Sequence, residues 1–196
     1  MKRLFNHPSF RTSVTLSLSK CAARYGICLI LFSMLFISCN KNDDDSPQDP
    51  DPIFQLPPAT MTGENTFGFL LNGEPINVTN TSNQVAIYQG GTLQFGGGLD
   101  NSDVELQINI FIEEPIQTNI LYNLTNIPVH MARFIKRDSQ ENCYYDFEDT
   151  IQGNVIITNL DQVNYIVSGT FELSTDLMNC ENINITNGRF DLQYIP

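Results

Sequence analysis

The sequence predicts an all-β domain: an antiparallel β-sandwich of roughly 8–10 strands behind an export signal and a disordered linker. Three observations predict it. Apolar residues alternate with a period of two, not 3.6, from about residue 61 onward. Asn-Gly and Gly-Gly pairs interrupt that alternation at hairpin spacing. No window of about 12 residues carries the apolar stripe of an amphipathic helix. A closed β-barrel with an internal ligand cavity is the alternative architecture.

The first element, residues 1–38, is an export signal. Five of the ten Lys and Arg (Lys2, Arg3, Arg11, Lys20 and Arg24) precede residue 25 with no acidic residue among them, and an apolar run follows from Gly26 to Ile37. About 13 apolar residues suit a signal peptide and fall short of the roughly 20 that span a bilayer. The chain of 196 residues has a formal charge of −12, which averages two segments of opposite sign. From Asn40 onward there are five basic and all 22 acidic residues, or −17. That balance excludes nucleic acid as a partner, because neutralising phosphates needs clustered Lys and Arg.

The second element, residues 39–60, joins the signal to the domain. The apolar run ends Phe36-Ile37-Ser38-Cys39, and Asn40-Lys41-Asn42-Asp43-Asp44-Asp45 follows. An apolar run, a small residue and then Cys resembles the bacterial lipobox. The resemblance implies that the Cys39 thiol is lipidated and that Cys39 becomes the new N-terminus, anchoring the protein to a membrane. Two acyl chains hold stably, at about 0.8 kcal/mol per buried methylene. The Lys-Asn-Asp-Asp-Asp stretch resembles the acidic export signal of surface lipoproteins in Bacteroidota-type bacteria. This implies the outer membrane and the cell surface, with its periplasmic face as the alternative. Ser46 to Pro58 contains Pro47, Pro50, Pro52, Pro57 and Pro58 and reads as an extended, semi-rigid spacer.

The third element, residues 61–196, is the all-β domain. Thr66–Leu71 and Ile76–Thr79 flank Asn72-Gly73, and Gln84–Gln89 and Thr92–Phe95 flank Gly90-Gly91, giving two hairpins. Val104, Leu106, Ile108, Ile110 and Ile112 alternate with polar neighbours as a half-buried strand. Further strands are expected at Ile116–Leu124, Val129–Lys136, Cys143–Glu148, Asn154–Leu160, Tyr165–Leu173, Asn182–Thr186 and Phe190–Tyr194. Gly96-Gly97-Gly98 reads as a bulge or tight bend.

Of five cysteines, Cys21 and Cys28 leave with the signal and Cys39 takes lipid, so Cys143 and Cys180 remain. Two thiols in an exported chain favour a disulfide, worth about 4 kcal/mol at most for a loop of this length. A metal site at this pair is disfavoured because neither has a Cys or His at ligand spacing.

The chemistry-bearing residues each have a structural reading. His130, the one His after the signal, enters a strand. Glu113-Glu114 before Pro115 would supply at most half of a glycosidase carboxylate pair, and strand neighbours point to opposite faces. Asp100-Asn101-Ser102-Asp103 and Asp146-Phe147-Glu148-Asp149 hold hard oxygen ligands but lack the spaced calcium-loop pattern and make turns readily. Arg133, Lys136 and Arg137 form a basic cluster expected on an exposed strand edge. Arg189 and Asp191, two apart on one face, are expected to pair, with Asn187-Gly188 setting a hairpin or bulge. Asn77, Asn80, Asn123 and Asn184 head N-glycosylation triplets, as expected by chance in an Asn-rich chain. Asp149-Thr150-Ile151 resembles the O-glycosylation motif of Bacteroidota secreted proteins.

Ser168-Gly169-Thr170-Phe171-Glu172-Leu173 and Ile185-Thr186-Asn187-Gly188-Arg189-Phe190-Asp191-Leu192, with Asn65-Thr66-Phe67-Gly68 at the domain start, resemble a small lipoprotein family of unknown function from Bacteroidota. The resemblance covers about residues 61–196 and implies an anchored all-β domain; it brings no activity or site residue. The expected function is therefore a non-catalytic, lipid-anchored binding or structural module with a glycan or protein partner and no cofactor. A small-ligand carrier with a barrel cavity is the alternative, and a carboxylate-dependent hydrolase a lesser one.

Overall fold

A computed structural model describes residues 51–196. The signal, Cys39 and the acidic tract lie outside the described residues.

Among the described residues, eleven strands form two antiparallel sheets packed face to face, a β-sandwich and not a closed barrel. They are β1 (Thr66–Leu71), β2 (Glu74–Asn77), β3 (Gln84–Gln89), β4 (Thr92–Asp100), β5 (Glu105–Ile112), β6 (Leu121–Asn123), β7 (His130–Arg137), β8 (Asn142–Tyr145), β9 (Thr150–Asp161), β10 (Ile166–Thr175) and β11 (Asn184–Gln193). The larger sheet runs β2-β1-β11-β10-β9-β6 and the smaller β3-β4-β5-β7-β8. At the chain end the Ile195 amide donates to the Ala86 carbonyl, carrying the chain from the larger sheet to the open edge of β3. The barrel alternative fails because the seams between sheets are crossed by such connections and not zipped into one continuous ladder.

The strands form where period-two patterning gives each sheet one apolar face. Leu106, Ile108, Ile110 and Ile112 of β5 are buried and meet Phe67, Phe171 and Phe190 from the opposite sheet in one core. Phe95 of β4 stacks on Phe190 of β11 with centroids 4.2 Å apart, tying the two layers together. The interior is thus filled by side chains, leaving no barrel lumen of the kind the carrier reading requires.

Several boundaries differ from expectation. Pro75 is accommodated in β2 because β2 is an edge strand, where a missing N–H costs no ladder bond. Gly96-Gly97-Gly98 is neither bulge nor bend: β4 pairs with β5 in unbroken register from Leu93 to Asp100. The triplet answers packing instead, since a Cβ on Gly97 would stand 3.0 Å from the Phe67 ring. Ile116–Leu124 forms a strand only over Leu121–Asn123. The two terminal segments are one strand, β11, whose register shifts against both neighbours at Thr186–Gly188. Asn187 there has φ 53°, so the Asn-Gly pair makes a bulge, not a hairpin.

The linker also ends earlier than residue 60. Pro52–Gln55 forms a 3-10 turn capped by the Asp51 carboxylate, and Leu56 is buried. Residues 51–64 are a strap lying on the larger sheet.

Candidate functional site

The strap and the outer face of the larger sheet together build one extended surface. Register places Gly68, Arg189, Thr170, Ile156 and Leu121 in one row across β1, β11, β10, β9 and β6. The strap crosses one end of this face. Gly68 permits the crossing: a Cβ there would stand 2.6 Å from Pro57 Cδ, so only glycine lets the proline ring lie flat on the sheet.

Two side chains of β11 fasten the strap. Asp191 is fully buried, and its carboxylate accepts five hydrogen bonds. Oδ2 accepts from Thr60 Oγ1 (2.7 Å) and from the amides of Thr62 (3.0 Å) and Glu64 (3.1 Å). Oδ1 accepts from the Gly63 amide (2.8 Å) and Ser168 Oγ (2.7 Å). Burial alone would raise this carboxyl; the bonds from Thr60, Ser168, Glu64 and Gly63 outweigh it and hold the group below its ordinary range. Arg189 Nη1 donates to the Pro57 carbonyl at 3.3 Å and Nε to the Asn187 carbonyl at 3.4 Å.

The expected Arg189–Asp191 pair is therefore corrected. The two do share a face, but the strap supplies each with other partners: amide donors for the carboxylate and a carbonyl for the guanidinium. Sequence reasoning missed the clasp because its donors are mostly backbone amides of Thr62, Gly63 and Glu64, which no residue pattern advertises. The faint signal was a charged residue in an apolar strand pattern.

Beyond the strap the face is open. A groove of about 610 Å³ runs along it, bounded by Ala59, Leu121, Asn154, Thr170, Glu172 and Arg189. Asn154 Nδ2 donates to Glu172 Oε1 at 2.7 Å. Thr170 and Asn187 make no side-chain hydrogen bond among the described residues, and Leu121 is largely exposed. The arrangement offers one cation, several amide and hydroxyl groups and a small aliphatic patch, all on paired strands.

The other sequence-predicted residues lie elsewhere. Cys143 of β8 and Cys180, in the loop before β11, form a disulfide with Cα atoms 6.0 Å apart, linking the smaller sheet to the β10–β11 connection. Cys39 lies outside the described residues. His130 is buried at the start of β7; Nε2 lies 2.8 Å from Glu114 Oε1, and the ring stands edge-on to Tyr122. It ties the loop after β5 to β7. Glu113 continues that loop, its amide donating to Val129. Asp100–Asp103 turns β4 into β5, Asn101 Oδ1 accepting from the amides of Asp103 and Val104. Asp146–Asp149 is a 3-10 turn closed by a reciprocal capping box between Asp146 and Asp149. No His, Cys, Asp and Glu grouping among the described residues is arranged to hold a metal ion.

The basic cluster is not on an edge. β7 lies between β5 and β8, and each cation meets a carboxylate. Arg133 pairs with Asp146 and stacks over Phe147, Lys136 pairs with Glu141 and Glu181, and Arg137 pairs with Glu105. Burial would lower the Lys136 ammonium, but its bonds to Glu181 and Glu141 dominate and raise it above the ordinary lysine range. Thr150 is buried where β9 begins, which closes its hydroxyl to glycosylation in the folded domain. Asn77 Nδ2 is engaged by the Gln55 carbonyl of the strap.

Compared with family models, curated proteins and solved structures, the chain matches none. The functional reading rests on this chain's own residues.

Proposed function

We propose that this chain is a lipid-anchored binding module of the bacterial outer membrane, displayed at the cell surface, that presents the outer face of its larger sheet to a ligand and catalyses nothing. The observation that carries this is the groove beside Arg189. It is an open surface of mixed polar and apolar lining on paired strands, where Thr170 and Asn187 make no side-chain hydrogen bond among the described residues. Binding sites set on paired strands hold their geometry better than loops do.

The anchoring half of the proposal rests on the sequence: a basic start, a short apolar run and then Ser38-Cys39 before an acidic tract. Its fit with the fold is mechanical. The chain enters the domain through the strap, and Asp191 grips residues 60–64 with four bonds. A pull from the anchor therefore meets a clasp before it meets the ladder of β1.

Membrane fractionation of wild type and Cys39→Ala, with protease shaving of intact cells, tests both halves. Wild type is expected in the membrane fraction and cleaved on intact cells, and the variant released. A variant that still pellets with membranes removes the anchor. A wild type protected on intact cells but cleaved after outer-membrane permeabilisation removes surface display.

A further inference from the structure

We propose that the groove binds an acidic saccharide, with a uronic acid carboxylate seated on Arg189; this rests on the binding-module reading above. The charge distribution isolates Arg189. Residues 51–196 hold 18 Asp and Glu against four Lys and Arg, so a cation should have little difficulty finding a carboxylate. Arg133, Lys136 and Arg137 each have one. Arg189 has none among the described residues: its contacts there are the carbonyls of Pro57 and Asn187, at 3.3 and 3.4 Å.

Carbonyls hold a guanidinium in place without neutralising it. Arg carries five N–H donors in a planar fork, and only two are engaged here. Arg189 lines the groove, and three of its donors are left without a partner among the described residues. A carboxylate is the group that such a fork matches with two parallel bonds. A phosphate has the same fork geometry but brings close to two negative charges, and the domain's surplus of carboxylates repels a dianion more strongly than a monoanion.

The rest of the row selects what carries the carboxylate. From Arg189 on β11 to Leu121 on β6 the face crosses three strand gaps, or roughly 14 Å at the usual strand spacing. That is room for two or three sugar rings. Along it stand the Thr170 hydroxyl and the amides of Asn154 and Asn187, groups that exchange hydrogen bonds with sugar hydroxyls. Leu121 and Ile156, directly paired across β6 and β9, form an aliphatic patch suited to the C–H face of a ring. Glu172, bound to Asn154 on one oxygen, retains the other as an acceptor for a hydroxyl.

Calorimetric titration of the full chain in detergent tests this with trisaccharides of otherwise neutral sugars that carry a single uronate (galacturonate, glucuronate or mannuronate), their neutral methyl esters, and inorganic phosphate. The expected result is saturable binding of at least one uronate, weakened tenfold or more by esterification and by Arg189→Gln. Arg189→Lys, which keeps the charge and loses the fork, should recover only part. Thr170→Val changes an exposed side chain away from the strap and should weaken binding severalfold with an unchanged urea midpoint. Equal binding of ester and acid, or undiminished binding by Arg189→Gln, overturns the carboxylate assignment. Phosphate binding as tightly as the best uronate overturns the saccharide. No binding by any uronate overturns the inference as a whole, and the shaving and fractionation results then stand separately for the anchored module.

Discussion

Replacing Asp191 with Asn keeps the shape of the clasp and removes its charge. The retained oxygen can still accept from Gly63 and Ser168, while the new amide group faces the N–H groups of Thr62 and Glu64, donor against donor. Thr60 can turn its hydroxyl to accept, so two amides are left without an acceptor. At about 1–3 kcal/mol for each unsatisfied buried donor, Asp191→Asn should cost about 3 kcal/mol. For a domain of this size that is a fall in Tm of roughly 10 °C. The chain has no Trp, so urea and thermal unfolding are followed by circular dichroism, with the disulfide intact. The pH dependence adds a second check. The Asp191 carboxyl is held below its ordinary 3.8, so its stabilisation is complete above that value and is lost as pH falls through the lower folded value. The gap between wild type and variant should therefore narrow below about pH 3.8. Asp138, Asp161 and Glu181 are also lowered, so wild-type stability falls in the same acid range and only the difference reports on the clasp. A variant within about 0.5 kcal/mol of wild type, an ordinary surface effect, would refute the clasp.

Gly68→Ala should push the Pro57 ring off the sheet and destabilise by about 1–3 kcal/mol, read from the urea midpoint; faster proteolysis near residues 51–58 should accompany it. Gly97→Ala sets a methyl against the Phe67 ring and should cost a similar amount without exposing the strap, which separates core crowding from strap release. Reducing the Cys143–Cys180 bridge, which closes a separation of 37 residues, should lower stability by up to about 4 kcal/mol. An unchanged midpoint after reduction would remove that contribution.

What the sequence made legible was local. Period-two patterning located Val104–Ile112 to within a residue, because alternation and burial express the same fact there. Asn72-Gly73 and Gly90-Gly91 marked their hairpins because positive φ at those positions needs such residues. Pairing between distant segments was not legible. Asn182–Thr186 and Phe190–Tyr194 read as two strands because the bulge at Asn187 breaks the alternation inside one. The strap read as spacer because prolines look alike whether extended in solvent or laid on a glycine across the fold. Arg189 and Asp191 stand out together in the sequence, but the strap residues they bind lie more than 120 positions earlier. Arg133, Lys136 and Arg137 looked like edge charges because their carboxylates arrive from other strands and loops.

Lipid on Cys39 is proposed to hold this fold at a membrane. Mass spectrometry of the mature protein from an exporting bacterium, with a fatty-acid label supplied during growth, measures it most directly. The expected result is a mature chain that begins at residue 39, carries the label, and loses it in Cys39→Ala. A mature N-terminus elsewhere, or an unlabelled Cys39, would contradict it.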